Sequence, residues 1–279
     1  MSFRDHTICR RRGAVRQGTA WALVTGAGSG IGRCYALRLA ALGYNLVLAG
    51  LRPEPLETVR REIETATPGT RVLTFGIDLA RIGAAEELHD FTRREGIDID
   101  VLINNAGIFS FCDLLNTPAE RIERIILLHD LTNTEMCRLY AADMIRRGKD
   151  GHILNMSSYS LWMPFPGLSL YSASKAYLRA FSVAFAKEVR EAGIRVTAVC
   201  PAGVATDLYG LTPRWQRIGM SVGALISADA CARRGLRGLW RGRRTIVPDW
   251  WNRLWIPLCK LLPMALIAPL RRFTMQFQK

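Results

Sequence analysis

The sequence has no C-x-x-C pair among its seven cysteines, which are scattered over 279 residues. Zinc sites and disulfide frameworks place cysteines at short, regular spacings, so this distribution argues against both. We therefore predict a protein without a bound metal ion, with its thiols kept reduced. A cytoplasmic location follows from that expectation.

Long apolar segments and flexible linkers are also missing. Near the end of the chain, the uncharged stretch 261–270 contains two prolines and is far shorter than the ~20 residues that a membrane-spanning helix needs. Residues 1–19 carry five arginines and one acid without the apolar core of a secretory signal. We predict a flexible basic tail over 1–19, with an organelle-targeting segment as the alternative.

Acidic residues are scarce, since 24 Asp and Glu stand against 38 Lys and Arg and the formal charge is +14. Such a charge attracts nucleic acid, but no nucleic-acid-binding motif accompanies it, so we predict no nucleic-acid partner. The remaining interpretations are an anionic membrane surface, an anionic cofactor or a simply solvated basic surface.

The residues that are abundant alternate between apolar strand-like runs and helical patterns. This alternation predicts an α/β fold, a doubly wound, seven-stranded parallel sheet with helices on both faces and ligands at the carboxyl ends of its strands. A capping box with a proline at the first helical position predicts a long helix starting near Thr117. The predicted strands are Trp21–Thr25, Asn45–Ala49, Val72–Ile77, Val101–Asn104, His152–Met156, Val196–Val199 and Thr245–Val247.

Four sequence motifs follow one another in a fixed order. A glycine turn, 25–32, joins the first strand to a helix, as in dinucleotide sites. After it come Asn104-Asn105-Ala106-Gly107, then Ser158 with the Tyr-x-x-x-Lys motif of Tyr171 and Lys175, then Pro201-Ala202-Gly203. Together these motifs resemble the short-chain dehydrogenase/reductase family. The resemblance implies one Rossmann-fold domain over 20–247, with a substrate loop or lid at 203–240, and leaves 248–279 as an aromatic and basic extension.

The end of the second strand bears on the choice of cofactor. No acid stands there before Glu54, although a carboxylate at this point would bind the ribose of NAD and repel the 2′-phosphate of NADP. Arg52 is placed to pair with that phosphate, so NADP(H) is favoured over NAD(H), although Leu51 stands where the family often has a second arginine. The resemblance implies that the cofactor is held by Gly26, Ser29, Gly30, Ile31, Gly32, Arg52, Asp78, Leu79, Asn105, Ala106, Gly107, Tyr171, Lys175, Pro201, Gly203, Val204 and Thr206.

Tyr171 and Lys175 lie four residues apart, so they project from one face of a helix. An ammonium beside a phenol favours the phenolate and brings its proton exchange towards neutral pH, which suits Tyr171 as general acid or base. The family spacing selects Ser158, rather than Ser157, as the residue that binds the substrate oxygen. Where the family has an asparagine in a proton relay, counting back from Met144 gives His129, and a shifted register would give Asn133.

The substrate pocket is expected to be apolar. Aromatic side chains are frequent between Ser158 and Tyr171, although some of them could simply pack the loops. The segment 249–279 resembles an interfacial membrane segment, with a subunit contact or a pocket lid as alternatives. The aromatic and basic residues in question are Phe109, Phe111, Tyr209, Trp215, Trp250, Trp251, Arg253, Trp255 and Lys260.

These features predict an NADP(H)-dependent oxidoreductase that reduces a ketone on a lipid-like substrate of the 3-ketoacyl or sphingoid type. One alternative is a hydroxysteroid dehydrogenase. A non-catalytic nucleotide-sensing or membrane-surface protein is the alternative from another class. The family resemblance implies a homodimer or homotetramer.

Overall fold

The computed structural model describes residues 19–163, 165–206, 212–221 and 223–249. The expectations for the tail up to residue 18, for Tyr209 and for the aromatic and basic positions from Trp250 onwards lie outside these residues.

The fold is built on a seven-stranded sheet of order β3-β2-β1-β4-β5-β6-β9, in which every neighbouring pair is parallel. This confirms the predicted doubly wound α/β class. The strand order reverses between β1 and β4, which opens a crevice at the carboxyl ends of these strands. The strands within the described residues are β1 Trp21–Thr25, β2 Asn45–Gly50, β3 Val72–Gly76, β4 Ile99–Asn104, β5 Gly151–Met156, β6 Ile194–Val199, β7 Gly203–Ala205, β8 Leu225–Ser227 and β9 Thr245–Ile246.

Helices cover both faces of the sheet, so its central strands are apolar on both sides. In β1, Leu23 packs into one core cluster while Ala22 and Val24 pack into the other. Helices α1, α2 and α8 contribute buried residues to the second cluster, and α3, α5 and α6 to the first. The helices are α1 Gly30–Ala41, α2 Pro53–Ala66, α3 Ala84–Arg94, α4 Ala119–Ile126, α5 Asn133–Arg146, α6 Ser169–Glu188, α7 Pro213–Ser221 and α8 Ala228–Trp240.

A π-helical turn, Leu127–Thr132, joins α4 to α5, so residues 119–146 form one long interrupted helix. The long helix is as predicted, but the capping box does not form. Helix α4 begins at Ala119 with Pro118 before it as the cap residue, and the Thr117 hydroxyl donates instead to the carbonyl of Asp113. A π turn widens the helix locally and often marks a functional site.

The segment after the sixth strand is more regular than the sequence suggests. Strands β7 and β8 pair in a small parallel sheet that the sequence did not predict, since each has only three residues. Helix α8 lies within the second core cluster, with Cys231 and Leu239 fully buried. Of the predicted substrate segment 203–240, the part that forms α8 therefore packs into the core of the domain.

Candidate active site

A cleft of about 370 Å³ opens at the carboxyl ends of β1, β4, β5 and β6. The crevice of a doubly wound sheet is where such folds bind their ligands. The structure brings together here most of the residues that the motifs single out. Its lining residues are Gly26, Ser29, Gly30, Ile31, Asn105, Ala106, Gly107, Ile108, Phe109, Met156, Ser157, Ser158, Tyr171, Lys175, Pro201, Val204 and Thr206.

The N-terminus of α1 faces this cleft. Ser29 is the N-cap residue of α1, but its side chain makes no capping hydrogen bond. The first turn of α1 contains no acidic residue. The N–H groups of a first helical turn have no partner inside the helix, so they can bind a phosphate. Gly32 lets the turn close tightly, because a Cβ there would lie 2.1 Å from the Gly26 carbonyl oxygen. These features fit a dinucleotide pyrophosphate.

Asparagines tie the neighbouring strand ends together behind the cleft. The Asn105 amide donates to the carbonyl of Thr25 over 3.0 Å, and the Thr25 hydroxyl accepts the N–H groups of Asn105 and Ala106. The Asn104 amide donates to the Asn155 side-chain oxygen over 2.9 Å. Hydrogen bonds between polar residues at the ends of β1, β4 and β5 thus fix these strand ends relative to one another.

Tyr171 and Lys175 project together from the first turns of α6. Both are buried, with 6% and 4% of their surfaces exposed, and the Lys175 Nζ lies 5.6 Å from the centre of the Tyr171 ring. The ammonium donates to the carbonyl of Met156 over 3.0 Å. Burial lowers the pKa of Lys175 to about 8, although the charge of Asp130 opposes this shift. The lysine is therefore a buried cation poised near its titration point.

The two adjacent serines have different environments. Ser157 donates its hydroxyl to the carbonyl of Lys175 over 2.7 Å, so it anchors α6. Ser158 lines the cleft, and its oxygen accepts the N–H of Ser160 over 3.1 Å, which leaves the hydroxyl proton free to point outwards. The geometry therefore agrees with the family spacing in favouring Ser158 as the residue that meets a ligand.

His129 lies in the π turn, behind Gly107. Its Nε2 accepts the N–H of Ile108 over 3.0 Å, and its Nδ1 is 2.9 Å from the Ser174 oxygen. The Ser174 hydroxyl donates to the Tyr171 carbonyl, so it accepts from Nδ1–H and the ring is neutral. Burial, aided by the charge of Lys175, holds the pKa of His129 well below its usual value.

The alternative relay residue, Asn133, does not approach the cleft. Its amide donates to the carbonyl of Leu128 over 2.8 Å, within its own helix. A Cβ added to Gly107 would lie 3.2 Å from the His129 Nε2 and 3.5 Å from the Lys175 Nζ. Gly107 therefore leaves space beside both His129 and Lys175, and of the two candidate relay residues it is His129 that lies next to this space.

Several predicted cofactor residues lie outside the cleft lining. Arg52 is exposed and precedes α2, and Leu51 beside it is 62% exposed. Gly203 begins β7, and Leu79 is buried in the first core cluster, where its carbonyl accepts the Thr132 hydroxyl.

Asp78, which the family resemblance assigns to cofactor binding, is paired with a helix. Arg124 of α4 donates to its carboxylate over 2.9 Å, and the N–H of Ala80 donates to it as well. Burial alone would raise the pKa of Asp78, but these two donors outweigh it and the pKa is lowered. The carboxylate therefore stays charged beside Arg124.

Sequence reasoning missed residues that act through the backbone. Arg121 holds the loop after β4 by donating to the Phe109 carbonyl over 3.0 Å, and Phe109 packs edge-on against Tyr171 with ring centres 5.1 Å apart. The Met156 carbonyl, which accepts from Lys175, carries no signal in its side chain. Asp130, next to His129, could have been found as an acid in an otherwise apolar helical stretch.

Aromatic and apolar side chains surround a second groove. Trp162, Met163 and Phe165 line it together with the start of α6. Phe111 stacks on Phe165 with ring centres 6.1 Å apart. Trp215 lies on α7 and is 60% exposed. The expected aromatic wall is thus partly gathered at this groove.

A dinucleotide-type crevice with a tyrosine and a lysine on one helix defines a nucleotide-dependent oxidoreductase. The family model described as short chain dehydrogenase matches residues 20–217. The chain therefore belongs to the short-chain dehydrogenase/reductase family and is an NAD(P)-dependent oxidoreductase, which confirms the resemblance read from the motifs.

Individual relatives agree with this assignment. The mouse 17-beta-hydroxysteroid dehydrogenase type 3 is 37% identical over 218 residues, covering 75% of this chain and 69% of its own. The very-long-chain 3-oxoacyl-CoA reductase of Mycosarcoma maydis is 35% identical, covering 68% of this chain and 54% of its own. This chain thus spans about half the length of the fungal relative.

Among solved structures, a short-chain dehydrogenase from Sphingobium yanoikuyae in complex with NADPH is similar, with a TM-score of 0.74 and 29% identity. The match covers 87% of this chain and 94% of that one. Among the described helices, none is both long and apolar enough to cross a bilayer.

Proposed function

We propose that the protein is an NADP(H)-dependent reductase that converts a ketone on a hydrophobic, lipid-like substrate into a secondary alcohol. The observation that carries the proposal is the pairing of Tyr171 with the buried Lys175 in the cleft that the N-terminus of α1 faces. One end of this cleft suits a pyrophosphate, and the other presents a phenol beside a cation.

Each residue has a defined task in this reaction. When bound, the nicotinamide supplies the hydride for the substrate carbonyl carbon. Tyr171 donates its phenolic proton to the carbonyl oxygen, and Ser158 donates a hydrogen bond to the same oxygen. Lys175 stabilises the resulting phenolate through its charge. The three polar side chains thus act on one oxygen atom, directly or through a neighbour.

The preference for NADP(H) rests on the end of β2. The turn there offers no carboxylate before Glu54, and Arg52 is exposed at the start of α2 with no acidic partner within ion-pair distance among the described residues. A free guanidinium at this point pairs well with a 2′-phosphate. Leu51 supplies no second charge, so the preference depends on Arg52.

The substrate class rests on the apolar surroundings of the cleft. Phe109 lies against Tyr171, and Trp162, Met163 and Phe165 line the second groove. Such walls suit an acyl chain, a sphingoid base or a fused-ring ketone. The name of the fungal relative favours a 3-ketoacyl thioester.

A second candidate is the oxidation of a hydroxysteroid or reduction of a ketosteroid. The observation in its favour is the identity of 37% to the mouse 17-beta-hydroxysteroid dehydrogenase. The same Ser158, Tyr171 and Lys175 would serve either direction, since the proton transfers are reversible.

The test is an assay of NADPH and, separately, NADH consumption at 340 nm with long-chain 3-ketoacyl, sphingoid and steroid ketones. We expect oxidation selective for NADPH with one class, and a preference for the acyl or sphingoid ketones. A preference for steroids would support the second candidate. No turnover with any class, while NADPH still binds, would favour the non-catalytic nucleotide-sensing alternative.

We also propose contact between a membrane surface and the segment 249–279, and assembly into a homodimer or homotetramer. Tryptophans and basic residues in that segment support the first proposal. Exposed apolar side chains on the helices around the π turn, including Ile126 and Ile145, support the second. Liposome co-sedimentation with and without 249–279, and light scattering, test them. Equal sedimentation or a monomeric mass would contradict the respective proposal.

A further inference from the structure

Asp130 lies at the contact between the π turn and α6. Two hydrogen bonds join these elements, one on each side of Asp130. On one side His129 binds Ser174, and on the other the Thr134 hydroxyl lies 2.8 Å from the Tyr177 hydroxyl. Thr134 also donates to the Asp130 carbonyl over 2.7 Å. The helix segment that carries Asp130 is therefore fixed against the segment that carries Lys175.

The carboxylate of Asp130 is poorly satisfied. Its Oδ1 atom is buried and has no hydrogen-bond partner among the described residues. Asp130 itself is half-buried, and a carboxylate oxygen that is buried without a partner is costly, so such a group often has a function. Burial raises the pKa of Asp130 to about 6, while the charge of Lys175 lowers it. The group can therefore gain and lose a proton near neutral pH.

His129 cannot exchange this proton. Both of its ring nitrogens are occupied, Nε2 by the Ile108 N–H and Nδ1 by Ser174. Its ring is neutral and buried, since its pKa lies well below the usual value. The position where the family has its relay asparagine thus fixes backbone geometry here, and the adjacent acid is the group able to take part in proton exchange.

The ionisable neighbours of this site are few. In the described residues, the acidic groups that raise the pKa of Lys175 are Asp130 and the buried thiol of Cys200. Burial raises the pKa of Cys200 to about 11, so this thiol is uncharged at neutral pH. The hydroxyls of Tyr171 and Tyr177 are the other titratable groups on the facing part of α6. Asp130 is thus the one anion near Lys175 in this part of the structure.

We propose that Asp130 is a positioning residue for Lys175, whose carboxylate holds the ammonium in its charged form and exchanges a proton with it through one water molecule. The inference rests on the proposed function. The two groups form no direct ion pair among the described residues, and we place one water between them.

Ketone reduction consumes one proton, which solvent finally supplies. Tyr171 gives its proton to the substrate oxygen, and an N–H of Lys175 returns a proton to the phenolate. The Asp130 carboxylate accepts a proton from solvent and passes it to the water, which gives one of its own protons to the neutral amine of Lys175. Asp130 thus returns to its carboxylate form. Alcohol oxidation runs the same transfers in reverse.

The test follows the titration of Lys175 by NMR in the full-length protein with ¹⁵N-labelled lysine. The chain has five lysines, at 149, 175, 187, 260 and 279, and the Lys175→Arg variant identifies the Nζ signal of Lys175. Removing the charge with Asp130→Asn should move this titration to lower pH by about half a unit or more, because an anion favours the ammonium. Asp130→Glu should restore it towards the wild-type value.

Glu188→Gln is the matched control, since Glu188 is exposed at the far end of the same helix. It should leave the Lys175 titration unchanged. An unchanged titration in Asp130→Asn, or in Asp130→Ser if the first variant is unstable, would overturn the proposal. This readout needs no turnover, so it is separate from the ketone assay. If the wild type is active, Asp130→Asn should also shift the basic limb of its pH–rate profile downwards, and an unshifted limb would count against the proposal.

Discussion

The backbone N–H of Ile108 donates a hydrogen bond to Nε2 of His129 over 3.0 Å. This bond needs only an acceptor on the helix, which an asparagine side chain can also supply. His129 therefore supplies, in its uncharged form, the acceptor for the loop after β4. The contact fixes the loop that contains Gly107 against the π turn.

The substitution His129→Asn should preserve NADPH binding and alter the pH dependence of stability. The pKa of His129 in the folded protein lies well below its usual value of 6.5. As pH falls, this imidazole is therefore protonated in the unfolded chain at a higher pH than in the folded protein. The wild type should lose roughly 1–2 kcal/mol more of its unfolding free energy than His129→Asn between pH 7.5 and pH 5. Urea unfolding at both pH values measures the difference.

A matched variant, His129→Leu, removes the acceptor. It leaves the Ile108 N–H buried without a partner and should cost about 1–3 kcal/mol at pH 7.5. Equal pH dependence of the wild type and His129→Asn would show that the histidine is not held neutral. Equal stability of His129→Leu and the wild type would show that the bond to Ile108 contributes little.

Gly107→Ala should reduce turnover by at least tenfold and shift the His129 ring or the loop after β4. The added Cβ would lie 3.2 Å from the His129 Nε2, which is closer than an ordinary contact, whereas its distance of 3.5 Å from the Lys175 Nζ is an ordinary contact within the cleft. Misplaced catalytic groups lower the rate steeply. Steady-state kinetics with NADPH would measure this loss. Gly69→Ala is the control, because its Cβ meets nothing within 4 Å and Gly69 lies on a surface turn, where its positive φ adds strain alone. Similar losses in both variants would contradict the account.

The cofactor preference should depend on Arg52. Replacing Arg52 with Ala should lower kcat/KM for NADPH by about tenfold and leave that for NADH nearly unchanged, since one charge-assisted contact contributes ~1.4 kcal/mol or more. Leu51→Arg should raise kcat/KM for NADPH by adding a second charge. Arg61→Ala, an exposed change further along α2, is the control. Equal losses of kcat/KM with NADPH and NADH would mean that Arg52 does not bind the 2′-phosphate.

Reductive turnover should decline as pH rises through about 8. Burial lowers the pKa of Lys175 to about 8, so its ammonium is lost on this side of neutrality. A neutral amine no longer stabilises the Tyr171 phenolate. The pH dependence of kcat at saturating NADPH and ketone checks this expectation. A constant kcat from pH 7 to pH 10 would contradict it.

The fold could be predicted largely from the sequence, because strands buried on both faces are continuous apolar runs. Predicted and observed strands agree within two residues at their ends, as at Val101, where β4 begins instead at Ile99. The short pair β7 and β8 escaped prediction since three residues carry no periodicity. The π turn also escaped, because its causes are distant contacts such as that of Thr132 with the Leu79 carbonyl.

The cleft residues with diagnostic side chains were predictable, and those acting through the backbone were not. Tyr171, Lys175 and Ser158 stand in a recognisable order. The carbonyl of Met156, which binds Lys175, has no residue preference that a sequence could show. The neutral state of His129 depends on Ile108 and Ser174, which only the folded chain brings to it.

The most direct test of the central claim compares the wild type with Tyr171→Phe in NADPH oxidation at 340 nm with a long-chain ketone. The phenylalanine keeps the ring and its contact with Phe109 but removes the proton that the substrate oxygen needs. We predict that the variant binds NADPH with the affinity of the wild type, by fluorescence titration, and loses turnover by a factor on the order of 10³. Turnover close to that of the wild type would contradict the assignment of Tyr171 as the acid.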